Sequence, residues 1–84
     1  MYYVYVLQSE DRSKRYIGYT SDLKKRIKAH NSNHMGYTGK NKWKLVYYEA
    51  YLSEEDARDR ERRLKDDGRA RYQLMKRIEC SLKL

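Results

Sequence analysis

The stretch from residue 15 to residue 31 constrains the fold most, because it predicts a strand, a turn and a helix in continuous sequence. Residues 15–20 are mostly aromatic or β-branched, as strand residues are. They include Gly18, where a bend or the close approach of another backbone is expected. Ser21 is a good N-cap for a helix from about Asp22 to His30. The rest of the chain has to pack around this strand and helix.

The predicted helix has two unlike faces. At about 100° per residue, its apolar side chains share one face with an arginine and a histidine: Leu23, Arg26, Ile27 and His30. The opposite face carries Lys24, Lys25, Lys28 and Ala29. Arg26 and His30 are therefore expected at the edge of the core, where two interpretations remain open. Either Arg26 extends over the core edge while His30 makes a structural hydrogen bond, or both belong to a functional site.

Length and cysteine content limit the class of protein. The 84 residues predict one domain, residues 1–84, with a single thin core. The only cysteine, Cys80, excludes an internal disulfide and a metal site made of cysteines alone, and it fits a reducing compartment. The first eight residues lack the basic and apolar regions of a signal peptide, and no run approaches transmembrane length. We therefore expect a cytoplasmic protein with no membrane partner.

Positive charge is concentrated in the first half of the chain. The net charge is +8, and residues 11–42 hold nine basic and two acidic side chains, whereas residues 53–84 hold ten and eight. Such a local excess of one sign indicates a surface for a polyanion, and nucleic acid is the polyanion that we expect. Solubility alone would not require one sign in one half. We predict nucleic-acid contacts from Lys14, Arg15, Lys24, Lys25, Lys28, Lys40 and Lys42.

Two further strands follow from alternating hydrophobicity. Residues 2–8 predict a strand that returns antiparallel through residues 15–20, so that Tyr5 and Tyr16 come into the same neighbourhood. Residues 43–51 predict a third strand with a regular alternation. One face of that strand is expected to carry Trp43, Leu45 and Tyr47.

Two further helices complete the expected order β-β-α-β-α-α. A loop rich in small polar residues is predicted over 31–42. Ser53 is expected to cap the second helix, and Gly68 to end it as the C′ residue. Apolar residues at helical spacing predict the third helix over 70–80.

Glu61 is the unusual residue of the second predicted helix. It lies between Ala57 and Leu64 on the same face, so its carboxylate is expected to point inward. A carboxylate on a buried face needs a partner. That partner is either an arginine, for which Arg26 is available, or a hard cation such as Mg²⁺.

Several of these residues form a series that resembles the motifs of the GIY-YIG nuclease domain. The residues that carry the resemblance are Tyr3-Val4-Tyr5, Tyr16-Ile17-Gly18, Arg26, His30 and Glu61. The likeness is closest to the small stand-alone bacterial proteins of this superfamily, which are similar to the N-terminal nuclease domain of the bacterial nucleotide-excision-repair endonuclease. It covers residues 2 to about 78, and its specific part is the run from 16 to 31.

The resemblance implies an α/β (α+β) fold with a three-stranded antiparallel sheet flanked by helices, and cleavage of nucleic acid that depends on Mg²⁺ or Mn²⁺. Tyr5 and Tyr16 match the two active-site tyrosines, one of which acts as or assists the general base. Arg26 matches the arginine that stabilises the transition state, and His30 matches a supporting polar residue. Glu61 matches the metal-binding glutamate.

The sequence departs from the family pattern in its first motif, which lacks the usual glycine, and we cannot place the asparagine that some members carry. A tyrosine base also requires that a phenol pKa of about 10 be lowered. Either the bound metal or neighbouring cations would have to lower it, and Lys14, Arg15 and Arg26 are the cations available.

Two functional hypotheses remain open. The first is a metal-dependent endonuclease that acts in DNA repair or processing, with DNA favoured over RNA. The second is a nucleic-acid-binding module of the same fold that cleaves poorly, or only with a protein partner or as a homodimer. The small size favours the second, because no separate DNA-binding segment is visible, whereas the presence of all five candidate residues favours the first.

Overall fold

The computed structural model describes residues 1–32 and 42–84, which form a three-stranded sheet with helices on both faces. The elements are β1 (Tyr2–Ser9), β2 (Arg15–Thr20), α1 (Leu23–His30), β3 (Trp43–Tyr51), α2 (Glu54–Asp66), α3 (Gly68–Arg77) and a 3₁₀ turn (Ser81–Lys83). The predicted order β-β-α-β-α-α and the α+β class are therefore confirmed. Most of the predicted loop over 31–42 lies outside the described residues.

The sheet has the order β2-β1-β3, and both pairings are antiparallel. β1 is thus the central strand, and its side chains alternate between two covered faces. Tyr5 of β1 lies opposite Gly18 of β2 on one side and opposite Tyr48 of β3 on the other. This register places Tyr5 at the middle of the sheet.

β3 contains a bulge that the regular alternation did not predict. Val6 pairs with Tyr47 but Leu7 pairs with Leu45, which leaves Val46 as the extra residue. A bulge moves all later side chains to the other face of the sheet. The prediction that Trp43, Leu45 and Tyr47 share a face is therefore wrong: Trp43 and Leu45 pack with Tyr5 and Leu7, whereas Tyr47 packs on the opposite side.

The prediction of a single thin core is also wrong, because each face of the sheet carries a hydrophobic cluster. One cluster lies under α2 and α3 and contains Val4, Val6, Ile17, Ala57, Leu64, Leu74, Ile78 and Leu82. The other lies under α1 and contains Tyr5, Leu7 and Trp43, with Tyr16, Leu23, Ile27 and Leu45 packed against it. A central strand that alternates between two apolar faces permits a core on each side in a small chain.

Helix starts depend on side-chain caps. Asp22, not Ser21, is the N-cap of α1, because its carboxylate accepts a hydrogen bond from the Lys25 amide at 3.1 Å. Ser53 caps α2 as predicted, and its hydroxyl accepts from the Asp56 amide at 3.3 Å.

The junction between α2 and α3 is one residue long. Asp67 ends α2, where its amide donates to the Arg63 carbonyl at 2.9 Å. It also caps α3, because its carboxylate accepts from the Arg69 amide at 2.9 Å. Gly68 is therefore the first residue of α3 rather than a C′ residue, and no glycine of the described residues has a positive φ. Because Asp67 caps it, α3 begins at Gly68, two residues before the predicted start at residue 70.

A charged network holds α2 against β3. Arg60 donates to the Glu49 carboxylate through Nε and Nη2, each at 2.9 Å. The hydroxyls of Tyr47 and Tyr51 donate to the same carboxylate at 2.6 and 2.5 Å. Burial alone would raise the pKa of Glu49, but these hydrogen bonds outweigh burial and lower it.

Within residues 1–32 and 42–84, no helix has the length and apolar character needed to span a membrane.

Candidate active site

Tyr5 and His30 form a buried pair beneath α1. Neither side chain is exposed to solvent, and the Tyr5 hydroxyl lies 2.9 Å from Nε2 of His30. Tyr5 reaches the pair from the central strand and His30 from the last residue of α1. The structural hydrogen bond that one interpretation predicted for His30 is therefore present, and it is made to another candidate residue.

Gly18 makes room for this pair. A Cβ at Gly18 would lie 2.4 Å from the Tyr5 hydroxyl oxygen and 2.9 Å from Cε2 of Tyr16. The predicted close approach at Gly18 is thus made by an aromatic side chain and not by another backbone. Glycine is needed here because any side chain would overlap the Tyr5 ring.

Tyr16 lies beside the pair on the edge strand β2. Its ring centroid is 4.9 Å from that of His30 and 6.3 Å from that of Tyr5. The Nζ atom of Lys65, from α2, lies 5.7 Å from the Tyr16 ring centroid. Because Tyr16 is half-buried whereas Tyr5 is fully buried, Tyr16 is the tyrosine that can meet a bound molecule.

Arg26 extends from α1 over the same cluster. Its Nη1 atom donates to the Tyr19 carbonyl at 3.5 Å. Its positive charge acts to lower the pKa of both Tyr5 and His30. The residues on the other face of α1, Lys24, Lys25 and Lys28, are exposed. The predicted separation of Arg26 and His30 from the lysines is therefore present.

Burial controls the protonation of the Tyr5–His30 pair. Burial, together with the neighbouring Tyr16, raises the pKa of Tyr5 to about 12 although Arg26 acts to lower it. Arg26 therefore does not bring the pKa of Tyr5 below its ordinary value, because desolvation of the phenolate is the larger effect. Burial, aided by the Arg26 charge, lowers the pKa of His30, so the imidazole is neutral at neutral pH.

Glu61 is directed toward this side of the fold but is not isolated. Its side chain is 23% exposed, and its carboxylate pairs with Nζ of Lys65 at 3.1 Å. The negative charge of Glu61 also acts to raise the pKa of Tyr5, so Glu61 lies near the cluster. The ion-pair partner that the structure shows is thus Lys65 and not the predicted Arg26. Sequence reasoning missed Lys65, although its position four residues after a glutamate on a helix was the available signal.

The donor set at Glu61 is compatible with a hydrated magnesium ion. In the described parts of the chain, no three His, Cys, Asp or Glu side chains come together as a metal cluster. Mg²⁺, however, commonly keeps several waters and binds through one or two carboxylates plus substrate phosphates. A single, partly exposed carboxylate whose lysine partner is itself 46% exposed fits that requirement.

The predicted nucleic-acid contacts fall into two groups of exposed side chains. Lys24, Lys25 and Lys28 lie on the outer face of α1. The second group lies at the end of the sheet where β1 turns into β2, and it consists of Lys14, Arg15 and Lys42. The backbone amides of Ser9 and Glu10, where β1 ends, donate to the carbonyls of Lys14 and Lys42. Lys40 lies outside the described residues.

Comparison with known proteins points to one family. The sequence model of the GIY-YIG catalytic domain matches residues 1–74. A UPF0213 protein of Clostridium perfringens is 48% identical over 64 residues, which cover 73% of this chain and 67% of that protein. One of Haloquadratum walsbyi is 34% identical over 76 residues, which cover 88% of this chain and 84% of that protein.

A solved structure agrees with these matches. The solution NMR structure of a UPF0213 protein from Bacillus halodurans is 38% identical and superimposes with a TM-score of 0.57, over 90% of this chain and 84% of that chain. Sequence and structure comparisons therefore point to the same group of small proteins.

Proposed function

Because the chain belongs to the GIY-YIG nuclease family, we propose that it is a metal-dependent endonuclease that hydrolyses phosphodiester bonds, with DNA favoured over RNA. The observation that carries the proposal is the convergence of five side chains from β1, β2, α1 and α2 in one cluster. They are Tyr5, Tyr16, Arg26, His30 and Glu61. The proposal includes a single domain over 1–84, a role in DNA repair or processing, and a cytoplasmic location.

Each of these side chains has a separate part in the proposed reaction. Hydrolysis needs a proton acceptor for the attacking water and a cation for the charge on the phosphate oxygens. Arg26 supplies the cation from the edge of the cluster. Tyr5 is a poor acceptor at neutral pH because burial raises its pKa to about 12. Tyr16, which is partly open to solvent, is therefore the tyrosine proposed to act as or assist the general base, and His30 positions Tyr5.

Glu61 is the proposed ligand for Mg²⁺ or Mn²⁺. When bound there, the ion would supply charge stabilisation for the phosphodiester and its leaving oxygen. Its binding requires that Lys65 release the carboxylate, since the two are paired at 3.1 Å. Because the Lys65 side chain is 46% exposed, the ion pair contributes little to stability and is readily released.

The test is cleavage of labelled single-stranded, duplex and branched DNA and of RNA, with Mg²⁺, Mn²⁺ or EDTA. We expect metal-dependent cleavage whose rate falls by about 10²–10³-fold in Arg26→Ala, because one preorganised charge donor is lost. Glu61→Gln is expected to lose metal-dependent cleavage. Matched controls from the exposed face of α2, Arg63→Ala and Glu55→Gln, should cleave within about twofold of the wild type.

A second candidate function is a nucleic-acid-binding module that needs a protein partner or a second copy in order to cleave. This candidate is favoured because Glu61 belongs to no metal-binding group of three His, Cys, Asp or Glu side chains within the described residues, and Lys65 pairs with it. If the wild type binds nucleic acid yet cleaves none of the substrates, the free-standing nuclease is wrong and the binding module is supported. Equal cleavage by wild type and Arg26→Ala would also contradict the proposed site.

A further inference from the structure

A concave surface separate from the candidate active site lies on the α1 face of the sheet, on the β3 side of the helix. This groove has a volume of about 520 Å³ and is lined by Tyr3, Leu23, Lys24, Ile27, Leu45 and Tyr48, with Ser21 and Asp22 at its end. The volume is in the range of small-ligand sites, about 300–1,000 Å³. None of the five candidate catalytic and metal-binding residues lines it.

The groove contains an exposed aromatic pair. Tyr48 is 52% exposed although it lies on a strand, and its ring meets that of Tyr3 edge-on with centroids 5.9 Å apart. Tyr48 therefore contributes little to the core, and about half of its surface remains open to solvent. Aromatic rings presented in this way are typical stacking partners for nucleic-acid bases, because every base has a π face.

The charges around the groove favour a base inside it and phosphates outside. Lys24 lines the groove, and Lys28 follows one turn later on the same side of α1. Asp22 also lines it, and its carboxylate is fixed as the N-cap of α1. A phosphate within the groove would be repelled by Asp22, whereas a neutral base would not. The flanking phosphates can meet Lys24 and Lys28.

The groove lies next to the candidate active site. Tyr48 is the direct β3 neighbour of Tyr5, so both project from the same face of the sheet. Lys24 and Arg26 are two residues apart and point to nearly opposite sides of α1. One strand of nucleic acid that crosses α1 could therefore contact the groove and Arg26 at the same time.

We propose that the Tyr3–Tyr48 groove binds an unpaired base of the substrate, so that nucleic acid with a single-stranded segment is the preferred substrate class. This inference rests on the proposed function, since it specifies the substrate of the same site. A base in an intact duplex is already stacked and would have to be extruded before it could enter. An unpaired base enters without that cost.

The test uses fluorescence anisotropy of a labelled 12-nucleotide single strand and of the matching duplex, in EDTA and at constant salt. Tyr48→Ala is expected to weaken binding of the single strand by about 5- to 100-fold, which is the effect of losing one stacked base. Duplex affinity should change less than about twofold. Tyr48→Phe keeps the ring and is expected to restore single-strand binding.

The matched control is Tyr72→Ala, since Tyr72 is 64% exposed on α3 and lies outside the groove. It is expected to bind both ligands as the wild type does. The inference is overturned if Tyr48→Ala binds the single strand as tightly as Tyr72→Ala does, or if single strand and duplex weaken equally. Either result would leave the proposed nuclease function standing, because cleavage is measured in a separate assay. A wild type that binds no nucleic acid would overturn this inference and the proposed function together.

Discussion

At the scale of single residues, the candidate site depends on the packing of Tyr5. Its ring covers Gly18, its hydroxyl meets His30 at 2.9 Å, and burial raises its pKa to about 12. A buried phenol of this kind holds its neighbours in place but does not ionise at neutral pH. The two family tyrosines are therefore not equivalent, and only Tyr16 is partly open to solvent.

Replacing Gly18 by alanine tests this packing. The added methyl group would overlap the Tyr5 hydroxyl at 2.4 Å, and the fully buried ring has no space to retreat. We expect Gly18→Ala to lower the free energy of unfolding by about 1–3 kcal/mol, measured by urea denaturation. The control is Gly68→Ala, where the nearest atom would be Arg71 Nη2 at 3.6 Å. This control should be neutral or slightly stabilising, and an equal loss in both variants would contradict the packing role of Gly18.

At the scale of secondary-structure elements, one face of α2 both attaches the helix to the sheet and presents the proposed metal ligand. Arg60 ties the helix to β3 through Glu49, and Glu61 faces the candidate site. Residues 57, 60, 61 and 64 share this face, and the buried Ala57 and Leu64 fix its orientation. The position of the proposed metal ligand thus depends on the ion pair that the neighbouring residue Arg60 makes with Glu49.

Acid should weaken this attachment. The pKa of Glu49 in the folded protein lies below its ordinary value of 4.5, so its stabilising contribution is complete above pH 4.5 and is lost as the pH falls through the lowered value. We expect Glu49→Gln to reduce the free energy of unfolding by about 1.5–3 kcal/mol at pH 7. The difference from the wild type should shrink below pH 4.5 in urea denaturation. Glu79→Gln, which removes an exposed carboxylate, is the control; a difference independent of pH would contradict this assignment.

At the scale of the whole molecule, the two faces of the sheet differ in what they carry. α2 and α3 cover the larger cluster, which contains most of the buried aliphatic side chains, whereas α1 covers the face that carries Tyr5. The lysines of α1 project outward from that second face. The lysines of α1 and the groove therefore lie on the same face of the sheet as Tyr5, which suits the proposed strand of nucleic acid that runs across α1.

Neutralising the α1 lysines should change the salt dependence of binding. In the triple variant with Lys24, Lys25 and Lys28 changed to Gln, each lost phosphate contact should reduce the slope of log affinity against log salt by about 0.7 on single strands. Affinities are measured between 50 and 200 mM salt, about the range in which the effect is large. A triple variant of Lys76, Arg77 and Lys83 removes the same charge elsewhere. If both variants lower the slope equally, α1 is not the binding surface.

Local pattern was enough for the order of elements and for the face of α1 that carries Arg26 and His30. Strand propensity predicted the bounds of β2, alternating hydrophobicity predicted those of β3, and helical periodicity separated Arg26 from the lysines, because each depends on near neighbours in the sequence. The roles of Tyr5 and Tyr16 came from family resemblance, whereas helical spacing had already indicated that Glu61 points inward and pairs with an arginine or a hard cation. Helix ends were less predictable: Ser21 and Asp22 are both good caps, and only the backbone geometry chooses between them.

Tertiary structure decided what depends on distant partners. The bulge at Val46 arises from how β3 pairs with β1, so no alternation within β3 reveals it. The core on each face requires that α1 and α2 pack on opposite sides of one strand. The raised pKa of Tyr5 follows from burial that only the folded chain creates. The amino-acid sequence by itself thus determined which elements form and which residues are available, and tertiary packing decided their solvation, their partners and their protonation.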